Sequence, residues 1–483
     1  MVRKDFVRGA VSIAFGLGAA AGLATAQPES VFETSELSPN ELPFANSVQL
    51  GGVTGDGEWS VSAEEIGGLN REFTMSSSFF AIGEGRELEG AFFGAAHRSL
   101  MASDGTLYVR SSEGLLVQEP GDEQPRWLIR PDEDVQLGEF LPGSFWDRFF
   151  DMHVNDVGEV LVFARIRAAQ PGGGFQNRNV LAKITDLGDE REETLIYTPG
   201  DTIDGLPTST SFLLNSDQLA INNAGDIVFL AQLSGVGFDT DSVVVLNGSI
   251  ALREGDPSPI PGEVYGELRS FGSVDINNNG VWAVQTKIPG FGEFTGFIAT
   301  SEGNVVAAEG ETVVNDEGFF ISRISPNNFY IADNGDVAYF AQWRNPSVPN
   351  DIREGIVVNS TPIVVHDATE VMTSAGTDTV QLVQGVGNQE FKFVLSEDGS
   401  KLAFAARTQT NVNGLFIADL AGDQPCEGDT DGNDAIDLAD LNVILAGFGT
   451  TTTPGTGGDV TGDGVIDLAD LNLVLGSFGS TCP

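Results

Sequence analysis

Cysteine and histidine are scarce in this chain, with two and three residues respectively in 483 positions. His97, His153 and His366 are scattered, with no HExxH or H-x-H spacing, so a histidine-rich zinc centre is excluded. A lone histidine in a β-rich chain reads as a surface or satisfied core residue. Both cysteines, Cys426 and Cys482, lie near the C-terminus, which leaves the body without a thiol nucleophile. No G-x-S-x-G elbow, phosphate loop or dinucleotide loop is present. Basic residues are few as well: 24 against 70 acidic ones, a net charge of −46. Such a surface repels phosphate backbones, so nucleic acid is excluded as a partner, while divalent cations are attracted. Two carboxyl groups a few ångströms apart suffice for glycoside hydrolysis, but acids this abundant single out no pair, and no catalytic residue is assigned.

Long apolar runs are also missing after the N-terminus. Arg3, Lys4 and Arg8 precede an apolar stretch from Gly9 to Leu23, and Ala24-Thr25-Ala26 fits a small-residue cleavage site. Residues 1–26 therefore read as a removed export signal, with a single membrane anchor as the alternative. Lys4 stands where a twin-arginine signal needs its second arginine, so ordinary secretion is the default. No transmembrane segment is expected in the mature chain, and an extracellular or cell-surface location follows.

What the chain has in quantity is glycine, 60 residues, and much of it recurs on one pattern. VNDVGEVLVFAR (154–165), INNAGDIVFLAQ (221–232), INNNGVWAVQTK (276–287), IADNGDVAYFAQ (331–342) and LSEDGSKLAFAA (395–406) align on a glycine. LMASDGTLYVRS (100–111) is a sixth copy and TGDGEWSVSAEE (54–65) a degraded seventh. Asn or Asp ahead of Gly158, Gly225, Gly280 and Gly335 makes Asx turns, and glycine supplies the positive φ. Apolar runs such as Ile227-Val228-Phe229-Leu230 then form strands. Further apolar runs follow, so each unit holds three or four short antiparallel strands. The glycines from Gly105 to Gly399 fall 53 to 67 residues apart. Repeated all-β units of this length close into a β-propeller, because radial repetition leaves few open sheet edges. A six- or seven-bladed β-propeller over residues 27–420 is expected; a β-solenoid or paired sandwiches are the alternatives.

The C-terminal segment repeats on a different period. GDTDGNDAIDLADLNVILAGFG (428–449) and GDVTGDGVIDLADLNLVLGSFG (458–479) put oxygen-bearing side chains on alternate residues and then turn apolar. A calcium loop needs oxygens at positions 1, 3, 5, 7, 9 and 12. These fall on Asp429, Asp431, Asn433, Ala435 (through its carbonyl), Asp437 and Asp440, then on Asp459, Thr461, Asp463, Val465 (carbonyl), Asp467 and Asp470. Two calcium ions are the implied cofactors. Ile436 and Ile466, at position 8, let paired loops pack together. Each loop leads into one helix: Leu438, Leu441, Leu445 and Phe448, and likewise Leu468, Leu471, Leu475 and Phe478, follow 3-4-3 spacing. Gly449 and Gly479 fall at C-caps. Merely acidic loops in an acidic protein would not carry the position-12 acid, the position-8 isoleucine and the duplication together. Cys426 and Cys482 bracket this segment, and a bridge between them would stabilise it by roughly 4 kcal/mol in the chain-entropy model; two free thiols are the alternative.

Two resemblances follow from these residues. INNAGDIVF and VNDVGEVLVF, with the turn in REGDPSPIPG (253–262), resemble a family of secreted bacterial proteins with tandem NxxGxxxF repeats, over roughly residues 90–420. That resemblance implies architecture and export, and no chemistry. Residues 426–482 are similar to a Cys-flanked type I dockerin, a small α-helical, two-loop EF-hand-like domain that docks onto a cohesin. It implies a linker at 421–427, a calcium-folded domain at 428–483, and partner contacts through Leu438-Ala439 and Leu468-Ala469. Thr461 departs from the pattern and weakens the second site; Asp434 stands where glycine is usual. The expected function is a secreted binding or display protein, attached by its tail to a cohesin-like or other cell-surface protein, with polysaccharide as a candidate ligand of the propeller. A dockerin-borne carbohydrate-active enzyme, a hydrolase or lyase, and a structural element of an outer layer are the alternatives.

Overall fold

The computed structural model describes the chain from residue 27 onward, except 34–48, 65–71, 78–79, 84–86, 89–90, 93–95, 112–113, 131, 189, 210–217, 269–271, 289–294, 311, 315–318, 346, 349–350, 384–392, 421–429, 431–435, 437, 453–457, 461–463, 477 and 479–483. The expected signal segment and both cysteines lie outside the described residues, as do Gly479 and the linker at 421–427. Two compact units are present, residues 25–420 and a smaller one that contains residues 421–483.

The larger unit is a β-propeller. Six four-stranded antiparallel meanders follow one another in chain order, with inner strands Gln49–Val53, Ala96–Met101, Phe145–Val154, Leu219–Ile221, Ser273–Ile276 and Phe320–Ile331. We number these blades 1 to 6. A six-stranded sheet completes the ring, its inner strand Phe393–Leu395 touching both blade 6 and blade 1. Its outer part is supplied by the N-terminal strand Glu29–Glu33, which pairs antiparallel with Asn413–Asp419 in the register Glu29↔Ile417 and Glu33↔Gly414. Joining the first and last strands of this unit in one sheet ties the ring closed, the edge problem that a propeller has to solve.

Alternation along the inner strands explains the core. Val154, Ile221, Ile276, Ile331 and Leu395, one residue before the turn asparagine or its equivalent, are all buried. The following strands, such as Ile227–Gln232 and Val337–Arg344, are apolar on both faces because each sheet is sandwiched between neighbouring blades. The turns behave as glycine requires: Gly57, Gly105, Gly158, Gly225, Gly280, Gly335 and Gly399 all have φ between +78° and +89°. TGDGEWSVSAEE, the degraded copy, thus marks a complete blade.

In the smaller unit, α1 (Leu438–Gly447) and α2 (Leu468–Gly476) pack together through Ile436, Ile444, Ile466 and Val474, all 3 % exposed or less. The position-8 isoleucines are therefore core residues, and Gly449 has φ +80° just beyond α1. The 3-4-3 stripe divides differently from a core stripe. Leu441 and Leu471 are partly buried, but Leu438, Leu445, Phe448, Leu468, Leu475 and Phe478 are exposed.

Candidate functional site

Of the twelve expected calcium positions, Asp440, Asp459, Val465, Asp467 and Asp470 fall within the described residues; Asp429, Asp431, Asn433, Ala435, Asp437, Thr461 and Asp463 lie outside them. The acids at position 12, Asp440 and Asp470, start α1 and α2 and are 0 % exposed; Asp459, at position 1 of the second loop, is 1 % exposed. Each accepts a loop hydrogen bond. Thr430 N donates to Asp440 Oδ1 at 2.6 Å, Asp467 N to Asp470 Oδ2 at 2.7 Å, and Gly464 N to Asp459 Oδ2 at 2.8 Å. The last bond runs to position 6, where Gly464 has φ +85° and makes the sharp turn the loop requires.

Residues 408–483 contain no Lys, Arg or His. Burying ionised carboxylates costs several kcal/mol each unless they are paired or coordinate a cation. The donor set is all oxygen, which suits a hard divalent cation, so the residues present fit calcium. Among the described residues, no three His, Cys, Asp or Glu side chains converge on one point.

The body has a second concentration of polar groups that sequence reasoning missed. The asparagines three residues before the turn glycine form a belt between blades. Asn155 Nδ2 donates to Asn222 O (2.8 Å), Asn222 Nδ2 to Asn277 O (3.0 Å), and Asn277 Nδ2 to Ala332 O (2.9 Å). Their Oδ1 atoms simultaneously hold their own turns, as in Asp226 N to Asn222 Oδ1 at 2.9 Å. The next residue repeats the device: Asp156 N donates to Asn223 Oδ1, Asn223 N to Asn278 Oδ1, and Asn278 N to Asp333 Oδ1, at 2.7–2.8 Å. One dipeptide per repeat thus closes its own turn and fastens it to the following blade.

Glu397, at the same place in the closing sheet, hydrogen-bonds Asp156 of blade 3 and Asn278 of blade 5. None of these blades are neighbours, so its side chain reaches across the ring axis. Desolvation by the surrounding turns, with the Asp156 hydrogen bond and the charges of Asp156 and Asp333, pushes its carboxyl up to about 9. Asp156 is held below the usual carboxylate range: its hydrogen bonds to Glu397, Asn223 and Ser103 outweigh its desolvation, the largest single influence on it. The two share one proton at neutral pH.

Deeper along the inner strands, His153 Nε2 lies 3.7 Å from Asp275 Oδ1, again two blades apart. Ile221 N donates to His153 Nδ1 at 3.3 Å, and Ile331 N to Asp275 Oδ2 at 3.0 Å. Burial and then the Arg98 charge draw the imidazole down to about 4, and burial raises Asp275 to about 6. Arg98 pairs with Asp151 at 2.6 Å, both 5 % exposed or less. His366 accepts from Val383 N at 2.9 Å. Both histidines are half-buried and accept a backbone N–H; the side chain of His97 is outside the described set.

A family described only as a family of unknown function (DUF7453) has a model that matches residues 94–297. No curated protein matches the chain. Among solved structures, a mitotic checkpoint complex chain is 12 % identical with a TM-score of 0.36, covering 83 % of this chain and 97 % of that one. Penicillium chrysogenum α-L-arabinanase complexed with arabinobiose is 11 % identical with a TM-score of 0.28, covering 82 % and 98 %. The GH93 α-L-arabinofuranosidase of Fusarium graminearum with arabinobiose is 9 % identical, with the same score and coverage. Likeness at this level bears on neither activity nor ligand.

Proposed function

We infer that this is a secreted binding and display protein. Its propeller presents a ligand-binding surface, and its tail, folded around two calcium ions, attaches it to a cohesin-like or other protein at the cell surface. One observation carries the reading: three carboxylates at loop positions 1 and 12, Asp440, Asp459 and Asp470, are buried, and each accepts a backbone N–H of its own loop. Calcium would be held by these oxygens, and Asp440 and Asp470 would tie each loop to the first turn of its helix. The exposed apolar residues of the two helices, in equivalent places on α1 and α2, then form the attachment surface beside Leu438-Ala439 and Leu468-Ala469. The chain's own export would follow from residues 1–26.

The carbohydrate-active enzyme is less well supported. Retaining and inverting glycosidases separate their carboxyl groups by about 5–5.5 and 6.5–9.5 Å. Asp156 and Glu397 are in direct hydrogen bond and so closer than either. Titration calorimetry of the chelator-stripped full chain tests the main reading. About two calcium ions per chain are expected, and absence of heat from calcium would refute it.

A further inference from the structure

Blade 3 departs from the others. Its second and third strands, Glu159–Ala169 and Phe175–Asp186, are 11 and 12 residues long and join through Gln-Pro-Gly-Gly-Gly at 170–174. The outer strand Arg191–Tyr197 pairs only with residues 181–186, so residues 175–180 extend past the blade with their outer side outside the ladder. Charge departs with length. In a chain of net −46, residues 160–185 contain no acid but carry Arg165, Arg167, Arg178 and Lys183.

Cross-strand register puts several of these groups on one face. Arg148 stands opposite Arg165, Arg167 opposite both Phe145 and Asn177, and Phe175 opposite Ala169. Two arginines directly opposed on neighbouring strands repel one another. Among the described residues, the ion pairs of these arginines run to Asp147, from Arg165 and from Arg167 at 2.7 Å, and Asp134 stands opposite Phe145 on the other side. Three guanidinium groups against two carboxylates leave a surplus of one positive charge. Beside them, Phe175 is 57 % exposed and meets Phe145 edge-on at 5.2 Å, with Arg167 over the Phe145 ring at 5.6 Å.

The geometry points to this face as a binding site for an acidic glycan, and the assignment rests on reading the propeller as a ligand-binding surface. A guanidinium fork takes a carboxylate or sulfate in a bidentate pair. The exposed phenyl ring offers a flat apolar face for the C–H side of a sugar ring, and Asn177 supplies donors and an acceptor for hydroxyls. A duplex nucleic acid carries a charge every ~1.7 Å, a density that one surplus charge on a strongly acidic protein does not match. A glycan with a charge on each sugar, or fewer, does.

The test measures affinity of the full chain, with calcium present, for polygalacturonate, dextran sulfate, neutral dextran, poly-glutamate and duplex DNA. Retention on polygalacturonate, dextran sulfate or both is expected and identifies the anion as carboxylate or sulfate. Arg148→Gln should weaken it about tenfold and Phe175→Ala about fivefold. Both residues are on the solvent side, and a melting curve confirms that each variant is folded; Arg130→Gln, an exposed arginine off this face, should change nothing. Binding to neutral dextran alone, equal binding to poly-glutamate or DNA, no binding at all, or acidic-glycan binding unchanged in both variants would overturn the assignment. Calcium titration and capture of a surface protein by the tail do not involve this hairpin. Success there beside failure here would discard the glycan and keep the display reading.

Discussion

Replacing Asn222 tests whether the inter-blade belt holds the propeller together. Its Oδ1 accepts from Ala224 N (3.1 Å) and Asp226 N (2.9 Å), and its Nδ2 donates to Asn277 O (3.0 Å) and Asp226 Oδ2 (3.3 Å). In Asn222→Ala the two turn N–H groups are near the surface and water can reach them, so each lost bond costs about 0.5–1.5 kcal/mol. Asn277 is 4 % exposed, and its carbonyl keeps its turn bond from Gly280 N at 3.0 Å, so losing the second donor adds another lost bond of about 0.5–1.5 kcal/mol. The expected loss is about 3 kcal/mol. Asn222→Asp keeps both acceptor bonds but points an oxygen at the Asn277 carbonyl and the Asp226 carboxylate. Ionised, it should cost more than alanine, roughly 3–5 kcal/mol by analogy with broken buried pairs. Protonated, it can donate to Asn277 O. Its folded pKa is then above its unfolded one, so its stabilising contribution is present at low pH and lost as pH rises. Urea midpoints of both variants between pH 4 and 8, at constant m, measure this. The reasoning fails if Asn222→Ala lies within 0.5 kcal/mol of wild type, or if the aspartate variant is the more stable of the two at pH 8.

Three other perturbations have defined outcomes. Glu397 has its folded pKa raised from 4.5 to about 9, so its contribution to stability is complete below pH 4.5 and is lost as pH rises through about 9. Glu397→Gln removes that loss, and calorimetry should find the variant's melting temperature gaining on wild type between pH 5 and pH 9; parallel curves would contradict the axial pair. Deleting residues 27–33 strips the strand that pairs with Asn413–Asp419 and opens an edge beside buried Leu415 and Phe416, so the melting temperature should fall and light scattering on heating should rise. An unchanged melt would mean that closure does not need this strand. Asp470→Ala removes the position-12 acid of the second loop, and calcium stoichiometry should drop from about two to one while the propeller's melting transition stays in place; two ions still bound would show that α2 is not tied to a metal.

The parts of this fold that were legible are those in which a local pattern dictates a local shape. Asn-x-x-Gly specified a turn because glycine alone takes φ near +80° cheaply, and Gly57 was enough to mark blade 1 although little else of the repeat survives there. Nothing in one repeat shows where the asparagine amide points. Asn155 meets the carbonyl of Asn222, and that partner exists only after closure. The strand Glu29–Glu33 was invisible for the same reason: it is one strand of a sheet that the rest of the chain builds at its other end. In the tail, spacing identified two helices but not which side faces inward. Ile436 and Ile466 decide that, by drawing Ile444 and Val474 beneath them and turning Leu445 and Leu475 outward. The His153–Asp275 contact joins residues on blades 3 and 5, beyond any periodicity.

Repetition also separates what the ring needs from what it is free to vary. The position two before the turn glycine shares the duty of accepting a backbone N–H from the preceding blade, and Asn223 and Asn278 perform it without charge. Asp333 performs it equally well with charge, and Asp156 does so for Ser103 N, so the charge is surplus to the duty. The same comparison isolates the blade 3 hairpin, because the ring closes through blades whose second and third strands run 4 to 8 residues. At physiological ionic strength charges are screened over about 8 Å. The distant acids that make the chain −46 therefore contribute little at Phe145, where the local field is set by Arg148, Arg165, Arg167, Asp147 and Asp134. A positive patch can persist on an acidic protein only where basic groups outnumber acids over that distance, and the strands from 160 to 185, which contain no acid, tip that balance.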